Sequence, residues 1–395
     1  MKLRNLLTIV ICVNFVLTGV IAFKVFQDRN QPPVVADNQK PDDTTGQVTP
    51  IPEPKESTFE EALASITSKE LEEHLRYLAS DELEGRMSGK KGNVVAATYI
   101  KDFHEENNLD TEYQKFSIRR MNAGPKNEKG DDFTQNIFAW IEGNDPVLKN
   151  EIVVIGAHMD HIGYGPSMSR SRRVDIHHGA DDNASGTVAL MEIAQAFSML
   201  KGKVKRTVVF QAYSGEEMGL IGSRYYCDNP TFPRSGPSIR KHIFMLNMDM
   251  VGYLGKGQYF AGFNAGDSSP DIGRIISSLN GKYSFAKQIT SRGSGGSDHA
   301  CFYNKRVPIA FLHTGGHPYY HTPDDTADRI NFGGIEKVAR YAFELAWKVA
   351  QADSSPRFNV AEFKEMPYVH DHGHPEVPFP HSYHKHHEGD HEHDE

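Results

Sequence analysis

The chain has 395 residues, 38% hydrophobic and 10% aromatic, enough to bury a large core within one α/β domain. Its net charge of −9 arises mostly in His370–Glu395, where seven acids face one lysine, so the remainder is near neutral and has no basic patch suited to nucleic acid. Three cysteines (Cys12, Cys227 and Cys301) exclude a disulfide-framework protein, and the sequence leaves open whether Cys227 pairs with Cys301.

In chain order, the first feature is the charge-free run Leu6–Phe23 behind Lys2 and Arg4. Eighteen helical residues span about 27 Å, close to the roughly 30 Å of a bilayer core. The two cations place the short leading end on the cytoplasmic side. Residues 1–27 are therefore expected to be an uncleaved signal anchor, or a signal peptide if the small-residue site around Val20-Ile21-Ala22 is cut. Either form exports the body of the protein, to the cell envelope when anchored and to the periplasm or medium when cleaved. Residues 28–58 hold six prolines between Asp28 and Ser57 and no aromatic residue before Phe59, the composition of an extended linker.

A single catalytic domain is expected over residues 59–353. Leu71, His74, Leu75 and Leu78 fall at helical spacing within Ser68–Ser80, and a second helix is expected over Asn93–Asn107. Runs rich in apolar and β-branched residues then read as strands: Gln135–Ile141, Ile152–Ala157, Thr207–Ala212, His242–Met248, Gln258–Phe263 and Pro308–Leu312. Helical patterns at Ser185–Leu200, Met218–Cys227, Asp271–Leu279 and Ile335–Ala352 lie among them. This alternation predicts an α/β fold with a mixed, mostly parallel central sheet and helices on both faces. Residues 354–395 are expected to form a disordered, acidic, His-rich tail, with nine histidines in its last 26 residues. That tail is either a solvated polar segment or a place where additional metal ions bind.

The chemistry-bearing residues fall at the ends of the expected strands. His158 closes Ile152–Ala157, Glu216 and Glu217 follow Thr207–Ala212, and Asp249 closes His242–Met248. Asp181 stands immediately before a helix, in Gly179-Ala-Asp-Asp-Asn-Ala-Ser-Gly186, and His321 follows the last strand. In open parallel sheets, sites form outside the carboxyl ends of the strands. Taken singly, each residue has an ordinary explanation. A histidine after a strand is commonly structural, Asp181 and Asp182 resemble a helix cap, and an acidic pair suits a helix start. Their conjunction in the order His, Asp, Glu-Glu, Asp, His instead suits two divalent cations, because a charge at the end of a buried strand is costly unless paired or metal-bound.

At these residues the chain resembles the M28 family of co-catalytic zinc aminopeptidases, over roughly Leu75–Ala352. The resemblance is carried by Arg76-Tyr-Leu-Ala-Ser-Asp-Glu-Leu-Glu-Gly-Arg86, Ala157-His-Met-Asp-His161, Gly179–Gly186, Ser214-Gly-Glu-Glu-Met-Gly-Leu220, Asn247-Met-Asp-Met250, Ser297-Asp-His299 and Tyr320-His-Thr-Pro-Asp-Asp325. It implies a zinc-peptidase/phosphorylase-like fold and two Zn2+ per chain. His158 and Asp249 would hold one zinc, Glu217 and His321 the other, and Asp181 would bridge them. Glu216 is implied as general base, Asp160 as the carboxylate that orients His158, and Tyr320 as a group that hydrogen-bonds the substrate carbonyl, the alternative for Tyr320 being plain packing. The family pattern also places a cis peptide after the bridging aspartate, between Asp181 and Asp182. The chain departs from many relatives at Tyr319, where an acid is common.

The function so implied is hydrolysis of N-terminal peptide bonds in peptides with a free N-terminus. Three other classes share parts of this pattern. A glutaminyl cyclase-type acyltransferase on the same fold uses a single zinc, whereas the full two-metal set is present here. M20-type peptidases insert a lid domain before the last histidine, for which the interval Asp249–His321 is too short. Non-catalytic receptor-like modules on this fold lose metal ligands.

Overall fold

A computed structural model of the chain describes residues 57–118, 133–166, 168–255, 260–263, 265–283, 285, 288–289, 296–366 and 368. The leader Leu6–Phe23, linker residues 28–56 and the histidines of 370–395 lie outside the described residues. Among the described residues, no helix is long and apolar enough to cross a membrane.

Eight strands among the described residues make one sheet: β1 (Asp110–Ser117), β2 (Phe133–Ile141), β3 (Ile152–His158), β4 (Thr207–Tyr213), β5 (His242–Met248), β6 (Phe260–Phe263), β7 (Gln288–Ile289) and β8 (Ile309–His313). Their spatial order is β1-β2-β4-β3-β5-β8-β6-β7. The central strands β4, β3, β5 and β8 run parallel, while β2 on one side and β6 on the other join antiparallel. The expected mixed, mostly parallel α/β sheet is what the chain forms.

The central strands β3, β4, β5 and β8 are buried at every position and mostly apolar, so the sheet is covered on both faces. In β3, Val153, Ile155 and Ala157 enter one core, and Ile152 and Val154 enter the other. This is the alternation that a period of two imposes. The larger core is closed by α1 (Phe59–Ser65), α2 (Ser68–Leu78), α3 (Lys91–Glu106), α4 (Gly186–Ser198), α6 (Pro270–Tyr283) and α8 (Phe332–Gln351). The opposite core takes Tyr226 and Cys227 of α5 (Ile221–Asp228) and Ala300, Cys301 and Phe302 of α7 (His299–Asn304).

Cys227 and Cys301 form a disulfide between α5 and α7, with Cα atoms 6.2 Å apart across 74 positions of sequence. Closing a loop of that length removes enough unfolded-state entropy to contribute about 4 kcal/mol. Replacing both cysteines with alanine should therefore lower the thermal midpoint clearly; an unchanged midpoint would show that the bond carries no stability.

Packing continues past residue 353, the expected end of the domain. Phe358 and Phe363 lie against Tyr303, and Met366 exchanges backbone hydrogen bonds with the Asn304 side chain at 2.8 and 2.9 Å. The reason is local: Phe358, Phe363 and Met366 give the segment apolar side chains to bury.

Candidate metal centre

The parallel strands deliver their carboxyl ends to one rim. His158 is the last residue of β3, Glu216 and Glu217 follow β4, Asp249 follows β5, and His321 lies in the loop after β8. All five are buried. His321 and Met250, which follows Asp249, adopt left-handed backbone conformations, with φ of 55° and 54°. L-residues with φ in this range are uncommon and concentrate where a site dictates the backbone.

Contrary to the expectation for Asp181, it is Asp182 that enters the cluster. Asp181 Oδ1 accepts the Gly252 N–H at 2.6 Å, and its Oδ2 lies 3.1 Å from His317 Nε2. Asp182 instead places Oδ1 3.4 Å from His158 Nε2 and Oδ2 3.0 Å from His321 Nε2. The cause is the turn that precedes α4. The Asp325 carboxylate accepts the N–H of Asp181 at 3.0 and 3.1 Å and that of Asp182 at 3.1 Å, which pins the backbone so that the two side chains leave in different directions. The cis peptide is likewise one residue later than expected, at Asp182–Asn183.

Two donor sets result. His158, Asp182 and Asp249 offer atoms within 4.8 Å of one another, and so do His161, Asp182, Glu217 and His321. Asp182 belongs to both. Glu216 has an oxygen within the same distance of His158 and Glu217. His161 is a member of this group that the sequence-level assignment of roles passed over. Its only signal was a second imidazole three positions after His158, at the end of a buried strand.

The neighbouring motifs hold the donors in place. Ser297 donates to Asp249 Oδ2 at 2.7 Å and accepts from Asn247 at 2.8 Å, leaving Asp249 Oδ1 3.3 Å from His158 Nε2. Nδ1 of His158 lies 3.2 Å from the Asp160 backbone carbonyl and 3.7 Å from its carboxylate. The Asp160 carboxylate itself accepts from Ser88 at 3.0 Å and from the Glu216 N–H at 3.3 Å. Asp160 thus contacts both His158 and the backbone of Glu216. Arg86 is buried beneath the site and donates to the carbonyls of Met159, Leu78, His178 and Gly179. Burial lowers its pKa to about 10, against the pull of Asp182, Asp325, Asp160 and Glu217, so it remains a fixed cation near neutral pH. The Tyr320 ring stacks on His321 at 3.9 Å, and the Arg170 guanidinium lies 4.4 Å from the Tyr320 ring centre.

Electrostatics favour a cation at this place. Burial, together with Asp249, Glu217 and Asp298, pushes the Glu216 carboxyl well above its ordinary range, with His158 opposing. Burial and Glu217 raise Asp182 to about 7, with His321 and His158 opposing. Burial disfavours protonated His321, yet Glu217 and Asp182 outweigh it and raise the imidazole to about 10. Without a cation, this concentration of buried carboxylates has to take up protons. A divalent cation relieves the same strain while using imidazole and carboxylate donors suited to zinc.

Comparison with known proteins follows the same lines. The model of peptidase family M28 matches residues 136–346. The chain is 32% identical over 231 residues to a protein named probable leucine aminopeptidase 1 from Trichophyton verrucosum, a match covering 55% of this chain and 58% of that protein. Among solved structures, the Legionella pneumophila LapA aminopeptidase superimposes with a TM-score of 0.59 at 24% identity, covering 83% of this chain and 82% of the other. BSAP, a zinc aminopeptidase from Bacillus subtilis, gives 0.60 at 16% identity, with coverage of 73% and 97%. At these identities the structural likeness is one of fold.

Proposed function

The chain belongs to peptidase family M28, and from that premise we propose that it is a zinc-dependent aminopeptidase binding two metal ions. The observation that carries this proposal is the placement of Asp182, whose two oxygens face two separate donor sets. His158 and Asp249 would hold one zinc, Glu217 and His321 the other, and Asp182 would be shared. A metal pair bound there supplies an acidified water and a polarised carbonyl.

The chain's own residues handle the protons. Glu216 accepts the proton of the attacking water as the new C–O bond forms, then returns it to the leaving nitrogen as the C–N bond breaks. Its burial beside the carboxylates of Glu217 and Asp249 raises its affinity for that proton. Tyr320, buried against His321, is proposed to direct its hydroxyl toward the substrate carbonyl. Asp160 keeps His158 and the Glu216 backbone in register. Relatives named leucine aminopeptidase support a substrate peptide with a free N-terminus.

We further infer export, from the charge-free leader Leu6–Phe23 and the disulfide, a bond that persists in oxidising compartments. The leader would act as a membrane anchor unless cleaved, and the histidine-rich tail would take up further metal ions.

The test is a peptide panel. Release of the N-terminal amino acid from free peptides, and none from their N-acetylated forms, is expected. Pyroglutamate formation from N-terminal glutamine without amino-acid release would instead indicate the acyltransferase reading.

A further inference from the structure

His161 shares a motif with His158 and Asp160 but has no task in the mechanism above. It is fully buried, and a left-handed glycine makes room for it: a Cβ on Gly179, at φ of 56°, would lie 2.4 Å from His161 Cγ. Its Nδ1 lies 2.8 Å from Glu217 Oε1 and 3.7 Å from Asp182 Oδ2. Its ring meets that of His321 edge-on, with centres 5.5 Å apart. A Glu217 that binds a cation is ionised and can only accept, so Nδ1 carries the proton and donates it to the carboxylate.

The opposite donor set uses the same device. There Ser297 occupies one oxygen of Asp249 and leaves the other facing His158. Here His161 occupies Glu217 Oε1 and leaves Oε2 3.1 Å from His321 Nε2. We propose that His161 is a positioning residue, whose Nδ1–H fixes Glu217 so that Oε2 alone is presented to a divalent cation beside His321 and Asp182. The inference rests on the metal-binding role proposed above. Partners that orient a ligand in this way set metal affinity as well as activity.

The test compares the full chain with H161F, which keeps a ring but no donor, and H161N, whose amide N–H stands near the position of Nδ1. Each metal-depleted protein is titrated with Zn2+ against a chromophoric chelator, and its zinc-dependent thermal midpoint is followed, because that shift registers cations bound by the folded domain. H161F should weaken one of the two zinc sites by about 10- to 100-fold and spare the other, with H161N recovering most of the loss. Unchanged affinities in H161F overturn the inference. So does an H161N protein that binds as weakly as H161F, a result that would place His161 on the cation itself. If H161F fails to fold, H161N decides alone, by near-native affinity or its loss. Wild-type protein that binds no zinc defeats the metal-binding role, a failure distinct from these.

Discussion

Glu216→Gln is expected to lower kcat by about a thousandfold while leaving zinc content unchanged, the scale of loss seen when a general base is removed. Glutamine keeps the shape of the side chain but cannot accept the proton of the attacking water. The position makes the separation of effects informative. Glu216 lies close enough to His158 and Glu217 to act at the metal centre, yet the two donor sets that share Asp182 are complete without it. Zinc measured by elemental analysis and turnover measured on an aminoacyl substrate should therefore part company in this variant. Retention of most activity would remove Glu216 from the mechanism; loss of zinc together with activity would make it a ligand.

A second large effect is expected at Asp182, and its neighbour supplies the control. Asp182→Asn removes the charge that faces both His158 and His321, so occupancy of both metal positions should fall together. Asp181→Asn changes a carboxylate engaged by Gly252 and His317, outside the cluster. It should leave metal stoichiometry intact, with whatever loss it causes appearing as stability. The opposite ranking of the two variants would return the shared position to Asp181. Loss of only one metal in Asp182→Asn would end the bridging assignment.

Much of this was legible in the sequence, for reasons that also explain the misses. The central strands are mostly apolar, as β3 shows in Ile-Val-Val-Ile-Gly-Ala-His, and such runs followed by His, Asp or Glu mark the carboxyl rim directly. The edge strand Asp110–Ser117 was missed because only Gln114 and Phe116 in it are buried, and an exposed edge tolerates polar residues. The strand Gln288–Ile289 is too short to leave a pattern. Helix Phe59–Ser65 did leave one, the capping box of Thr58 and Glu61.

At the site, His158, Glu217, Asp249 and His321 converge as the strand ends suggested. Asp181 and Asp182 could not be told apart by composition or spacing. Which of two consecutive aspartates faces the cluster depends on a turn held by Asp325, more than a hundred positions later in the chain, and local sequence does not carry that information. His161 stands in a motif the sequence displays, yet its role is not legible there for a related reason. Its meaning lies in a contact with Glu217, which only the packed sheet creates.

The central claim is that two cations share Asp182, and anomalous diffraction at the zinc edge from zinc-soaked crystals of the full chain tests it most directly. Two peaks about 3.5–4 Å apart, one beside His158 and Asp249, the other beside Glu217 and His321, with an Asp182 oxygen facing each, are expected. A single peak, or a pair flanking Asp181, would contradict it.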